Sequence, residues 1–287
     1  MKKIFLALIA IATFVACNKD NGGSEEGVSA KHPKKIISTS PYLRVERIFE
    51  LYDDARPKKE SYTHYQADTV SYSSVTEYEY DGKRPVKKKT NYYEYSYFYS
   101  KGKLERETFK EKYDSTPSTT EYQYDGNGRL IKKLTRYRQD NYEEVNYQYS
   151  EGNKIIASKE RFVENKKIYS SRRYTLDANG NVVKEEYKLG NYDIVVAYEY
   201  DNKINPLFSP TFRDLYPDYF TMGVGKNNII KQTEIRTNPK EPNKVSKETF
   251  RIVYEYNGDY PVRDTHYSVP NEENKPEEKL SVTEYIY

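Results

Sequence analysis

One hairpin-sized pattern recurs along most of this chain, and it restricts the fold more than any other feature. Its clearest copy is YQYDGNGRLIKKLTRY, from Tyr122 to Tyr137. Tyr122 and Tyr124 are two apart and share a face in an extended chain. Asp125-Gly126-Asn127-Gly128 brings two glycines and two residues that tolerate positive φ, the chemistry of a tight turn. Arg129-Leu130-Ile131 restarts an extended run, so the unit reads strand, turn, strand.

The other copies follow the same scheme. They are ELYDDARPKKESY (50–62), YEYDGKRPVKKKTNYY (78–93), YFYSKGKLERETF (97–109) and YQYSEGNKIIASKERF (147–162). YTLDANGNVVKEEY (174–187), a copy that breaks off as YEYDNKINP after Tyr198, and YEYNGDYPVRDTHY (254–267) complete the set. Turn positions 100, 125, 150, 177 and 201 lie about 25 residues apart. Between copies lies a second set of short turns: Asp114 to Pro117, Gln139 to Asn141, Glu164 to Lys166, and Gly190-Asn191. Every strand therefore reverses into the next, with no room for the crossover helices of a parallel sheet. The expected fold is all-β: a long antiparallel up-and-down meander of about 15 strands, curled or solenoid-like.

Alternation assigns the faces. Tyr93, Tyr95, Tyr97 and Tyr99 share one face, as do Tyr122 with Tyr124, Tyr147 with Tyr149, and Tyr198 with Tyr200. The opposite faces are mostly charged or polar, so the sheet must curl, close or be covered. The chain has 33 tyrosines, no tryptophan and a hydrophobic fraction of only 36%. Tyrosine suits a thin, partly wet sheet, because the ring packs while the hydroxyl stays solvated. Stacked across strands, such rings stabilise a sheet by roughly 0.2 to 1 kcal/mol per pair. The same ten tyrosines are the candidate binding surface, a platform for a glycan or for a partner's apolar surface. The lack of tryptophan counts against the sugar.

Residues 205–227, NPLFSPTFRDLYPDYFTMGVGKN, break the rhythm. Ser209 before Pro210 is an N-cap and first-turn pair, and Phe212, Leu215 and Tyr216 have helical spacing. One short helix is expected near 209–220, laid over an apolar part of the sheet. It reads either as a cap that buries apolar surface or as a loop that shapes a ligand site.

The N-terminus reads as an address. Lys2 and Lys3 precede an apolar run from Ile4 to Val15, too short to span a bilayer comfortably. The run ends Phe14-Val15-Ala16-Cys17, which resembles the lipobox of bacterial lipoproteins. That resemblance implies a signal peptide over 1–16, lipidation of Cys17 and a membrane anchor without a crossing. Cys17 is the sole cysteine, so no intramolecular disulfide is possible. Residues 17–35 read as a flexible tether and 36–287 as a single β domain. Lys19-Asp20 is similar to the export signals of Bacteroidota lipoproteins, which implies the outer membrane and its cell-surface side, with the periplasmic side left open.

The stretch YDGNGRL, Tyr124 to Leu130, resembles the YD repeat of Rhs-type surface proteins, and YDGKRPV, YSKGKLE, YSEGNKI and LDANGNV match it loosely. With the lipobox, the whole resembles a family of Bacteroidota surface lipoproteins, over roughly Ile36 to Tyr287. The resemblance implies a β-meander and a surface address, and carries over no catalytic residue.

Charge and chemistry narrow the function. Lys and Arg number 47 against 44 Asp and Glu, interleaved throughout, so a nucleic acid partner is not expected. His32, His64 and His266 have no ligand-like spacing. Glu143-Glu144, Glu185-Glu186, Glu272-Glu273 and Glu277-Glu278 are sequence neighbours that face opposite ways in a strand, so they do not converge as an acid/base pair. Asp125-Gly126-Asn127-Gly128 and Asp177-Ala178-Asn179-Gly180 lack the distal acid of a calcium loop. No GxSxG, GxGxxG or P-loop occurs. The expectation is a non-catalytic binding module without cofactor or metal; the alternatives are a purely structural envelope protein and a degenerate hydrolase.

A lipid-spanning barrel is not expected, although Thr283 to Tyr287 ends in an aromatic residue as porin-type barrels do. Lys132-Lys133 and Lys87-Lys88-Lys89 put charge on both faces at mid-strand. A lysine at the bilayer midplane costs about 2 to 4 kcal/mol.

Overall fold

A computed structural model of the chain describes residues 31–113, 116–137, 140–272 and 275–287. Cys17, the expected signal peptide and most of the expected tether lie outside the described residues. The first strands are Lys35–Ser40 (β1), Leu43–Leu51 (β2), Pro57–Gln66 (β3), Thr69–Asp81 (β4), Arg84–Thr90 (β5) and Tyr93–Ser100 (β6). Next come Lys103–Glu111 (β7), Ser118–Tyr124 (β8), Leu130–Arg136 (β9), Tyr142–Ser150 (β10), Lys154–Val163 (β11) and Lys166–Leu176 (β12). The last are Val182–Leu189 (β13), Tyr192–Ile204 (β14), Asn227–Asn238 (β15), Glu241–Asn257 (β16), Tyr260–Val269 (β17) and Glu278–Ile286 (β18).

Each strand pairs antiparallel with the next, and β1 pairs with β18 as well, from Lys35↔Ile286 to Thr39↔Val282. That last ladder overturns the expected architecture. The sheet is not an open or solenoid-like meander of about 15 strands; it is a closed barrel of 18. Closure removes both edges, which a long twisted sheet would otherwise expose. Charge on both faces speaks against a lipid-facing wall, but not against closure.

The repeat has a structural cause. In the fourth copy Asp125 Oδ1 accepts from the amides of Asn127 and Arg129 at 3.0 and 2.9 Å, while Gly128 sits at φ 80°. Asp177 binds Asn179 and Asn181 in the same way, with Gly180 at φ 84°. Both carboxylates are thus used by the turn itself. After the turn comes a bulge. Tyr124 opposes Leu130 and Gln123 opposes Lys132, so Ile131 is the extra residue. Leu130 and Lys133 therefore share a face although three apart. The same irregularity places Pro57 with Glu60, Leu104 with Glu107, Val182 with Glu185, and Pro261 with Asp264.

The second tyrosine of most Tyr-x-Tyr pairs explains why copies stack. Tyr80, Tyr124, Tyr149, Tyr200 and Tyr287 donate to the backbone carbonyls of Pro57, Leu104, Leu130, Val182 and Pro261, at 2.8 to 3.1 Å. Each acceptor opens the return strand of the preceding hairpin, so these five units are tied to their neighbours; the buried Tyr99 hydroxyl has no partner among the described residues, and Tyr256 donates to Asp201 instead. The first tyrosine meets the charged residue three positions further on. Tyr285 donates to Asp264 at 2.7 Å, and Tyr78 reaches Glu60 at 3.3 Å.

All these tyrosines face the lumen, and the 205–227 segment shows it. Rooted between β14 and β15, it packs a short helix, Pro210–Leu215 (α1), against β5 and β7 on the far wall. A segment on the outside cannot touch strands half a circumference apart; this one crosses the lumen. Eighteen strands at about 4.8 Å make a ring of about 85 Å before tilt widens it, too wide for side chains alone to fill. Ser209 caps α1 by accepting from the Phe212 amide at 3.1 Å. A 3-10 turn, Tyr219–Met222, then sets Phe220 edge-on to Tyr147 and Tyr174, with ring centroids 5.7 and 5.5 Å away. The expected helix is thus one α turn and one 3-10 turn, inside the barrel rather than over a surface. The exit is tied by Asn181, which is fully buried and hydrogen-bonds Asp177 and Asn227.

The outer wall is mostly polar, with exposed apolar side chains at Ile48, Phe98, Ile235 and Val253 standing among the charges. Lys132–Glu144, Arg136–Glu121, Lys184–Glu186, Lys231–Glu199 and Arg251–Glu277 pair across it. The two ends differ. The repeat turns, the insertion and the start of β1 gather at one, which we call the root. At the other, the mouth, exposed tyrosines stand at or near successive connections: Tyr42, Tyr72, Tyr92, Tyr113, Tyr137, Tyr169 and Tyr192.

A candidate binding cavity above the insertion

The insertion occupies the root end, leaving there a cavity of about 360 Å³ beside His32, Arg56 and Phe208, and the lumen above it opens toward the mouth. A cavity of about 740 Å³ lies against β6 to β10, lined by Tyr95, Glu107, Phe109, Glu111, Lys133, Tyr137 and Glu143 among others. A second, of about 420 Å³, shares Lys133 and Glu143 with it and reaches down to Asp218 and Thr221 of the insertion. Volumes of this order suit small ligands. A groove of about 960 Å³ also runs along β10 to β14. Its outer-wall charges are tied up in cross-strand pairs, Lys132–Glu144, Lys167–Glu160 and Arg173–Glu186.

The wall meets the floor at Asp218. Its Oδ2 accepts from Lys133 Nζ at 2.9 Å and from the Tyr147 hydroxyl at 3.2 Å, while its buried Oδ1 has no partner. Burial pulls the Lys133 ammonium down, but Asp218 and Glu107 outweigh it and hold its pKa above the usual value. Burial raises Glu107, only partly offset by Lys133 and by hydrogen bonds from Tyr122 and Thr120. Desolvation also pushes Tyr95 up to about 12, so its hydroxyl stays protonated and can donate.

The ten tyrosines singled out from the sequence are brought together, but not as an exposed platform. Tyr97, Tyr122 and Tyr147 are buried; Tyr93, Tyr95, Tyr99, Tyr124, Tyr149, Tyr198 and Tyr200 are half-buried on the lumenal face. Only Tyr95 lines the larger cavity and only Tyr147 the smaller one. The others hold the wall or pack on the insertion. Glu107, Lys133 and Asp218 were not foreseen. A signal existed for the first two, the charged residue three past the first apolar residue of each return strand, but strict alternation hides it.

Two of the acidic pairs split as their spacing requires, while Glu273 of a third lies outside the described residues. Glu143 faces inward to Lys159, and Glu144 outward to Lys132. Glu185 meets Arg172, while Glu186 meets Lys184. His32 stacks edge-on to Phe49, His64 bonds Ser71, and His266 lies 3.1 Å from Asp264. Among the described residues, no group of three or more His, Cys, Asp or Glu could hold a metal ion. None of the described helices is long and apolar enough to cross a membrane, which says nothing of strands.

No protein family and no curated protein matches the chain. Among solved structures it is similar to a porin-like protein from Bacteroides uniformis, at 12% identity and a TM-score of 0.48, over 88% of this chain and 96% of that one. A porin-like protein from Bacteroides vulgatus gives 12% and 0.47, over 90% and 98%.

Proposed function

We propose that this chain is a lipid-anchored, non-catalytic binding protein of the bacterial outer membrane, whose barrel works in water as a cup. The observation that carries the reading is the insertion, which floors the lumen at the root and leaves an aromatic and charged cavity open at the mouth. The ion-paired outer wall supports the aqueous setting, since a lipid-facing wall needs an apolar band about 25 Å tall. β1 starts at the root. An anchor at Cys17, on a tether reaching up to about 60 Å, would hold the cup root-down with its mouth turned away from the membrane. The occupant is a glycan or a partner protein, received by the cavity and the tyrosines at the mouth.

A glycan array and a pull-down from outer-membrane extract, both with the full-length protein, test the binding role. Retention of a defined glycan or protein is expected. Silence in both would leave a purely structural envelope protein. Ion conductance across a planar bilayer would contradict the aqueous cup.

A further inference from the structure

The cavity carries charge that the fold does not neutralise. Lys133 and Lys159 are its basic groups on β9 and β11, and each is occupied, by Asp218 at 2.9 Å and Glu143 at 2.8 Å. Arg172 and Lys188 in the inner compartment are likewise tied, to Glu185 and Asp193. Glu107 and Glu111 make no ion pair among the described residues. Both stand on the lumenal face of β7, with Phe109 between them and the Tyr95 ring 4.9 Å from it.

Asp218 shows that this is more than an acidic cluster. Asp218 is only 5% exposed, yet its Oδ1, at the floor of the inner compartment, lacks a hydrogen-bond partner among the described residues. A buried carboxylate oxygen left unsatisfied is unusual and calls for a donor. Glu107 is half-buried on the adjoining wall, where a carboxylate costs stability that an apolar residue would not. The order along the wall is therefore carboxylate, aromatic ring, carboxylate, with the outer and inner carboxylates about 13 Å apart along the strand.

We propose that the cavity binds an organic ligand carrying at least two ammonium groups on an aliphatic or sugar frame. One ammonium is held at the inner end by Glu107 and Asp218, the other near the mouth by Glu111. Phe109 and Tyr95 lie along the frame between them and offer their ring faces to the cation-bearing carbons. The proposal rests on the cup reading and names the chemistry its cavity selects. An amino sugar and a linear polyamine share that chemistry.

Isothermal titration of the purified full-length protein with three probes tests it: spermidine, the glucosamine trisaccharide, and the N-acetylglucosamine trisaccharide. Binding of either amine is expected, at least tenfold tighter than the acetylated sugar and weaker at high salt. Spermidine alone would identify a polyamine frame, the free trisaccharide alone an amino sugar. Glu111→Gln lies at the exposed mouth and should fold normally; it should weaken amine binding at least fivefold, as should Glu107→Gln. Equal binding of the free and acetylated trisaccharides would overturn the charge inference and leave the glycan reading standing. No binding of either amine would also overturn it, with the array deciding the cup's role separately. Unchanged amine affinity in Glu111→Gln would remove the assigned site.

Discussion

Lys133 on β9 donates to Asp218 of the insertion at 2.9 Å, joining wall to floor across 85 positions of sequence. Asp218 is buried, so the pair is not a surface ion pair of negligible weight. Lys133→Met should leave the carboxylate with only the Tyr147 hydroxyl, and should destabilise the fold by about 3 kcal/mol. Lys133→Met combined with Asp218→Asn should recover part of that loss. Urea unfolding of these two variants and of Asp218→Asn alone checks it; additive losses would mean that the groups do not interact.

Glu107 predicts a pH dependence. Its folded pKa lies above the usual 4.5, because burial disfavours its charge. The native chain therefore takes up this proton more readily than the unfolded one. The contribution to stability is full below the unfolded pKa and declines as pH rises through the folded value. Glu107→Gln should be more stable than the parent at pH 7, with the gap closing toward pH 4. A gap that widens in acid would contradict the burial of this carboxyl.

Gly225, at the exit of the insertion, has no room for a side chain. A Cβ there would stand 2.5 Å from Asn181 Oδ1 and 3.3 Å from the Tyr200 ring. Asn181 cannot move aside without losing its bonds to Asp177 and Asn227. Gly225→Ala should cost about 1 to 3 kcal/mol. Thermal melts would show it, and an unchanged midpoint would mean that the exit is looser than described.

Much of this was legible locally and little of it globally. The repeat Tyr-x-Tyr followed by Asp-x-Asn-Gly announces its own turns, because Asp125 and Asp177 bind the turn amides whatever the rest of the chain does. Closure was not legible, since Ile36 and Tyr285 carry no mark of pairing with each other across the whole chain. Nor was the lumenal charge. Period-2 alternation sends Leu130 and Lys133 to opposite faces, and only the extra residue Ile131 brings them together. The insertion's aromatic cluster was read as a cover, and its place inside the lumen follows from a ring width that no local pattern encodes.

The account stands on closure between the first strand and the last. Ser38 and Thr283 are direct partners on β1 and β18, with side-chain oxygens 3.1 Å apart, and Cys17 is the only native cysteine. In a Cys17→Ser background, Ser38→Cys with Thr283→Cys should form an intramolecular disulfide on mild oxidation in detergent-free buffer, seen as faster migration on a non-reducing gel. Free thiols, or disulfides formed only between chains, would contradict the closed barrel.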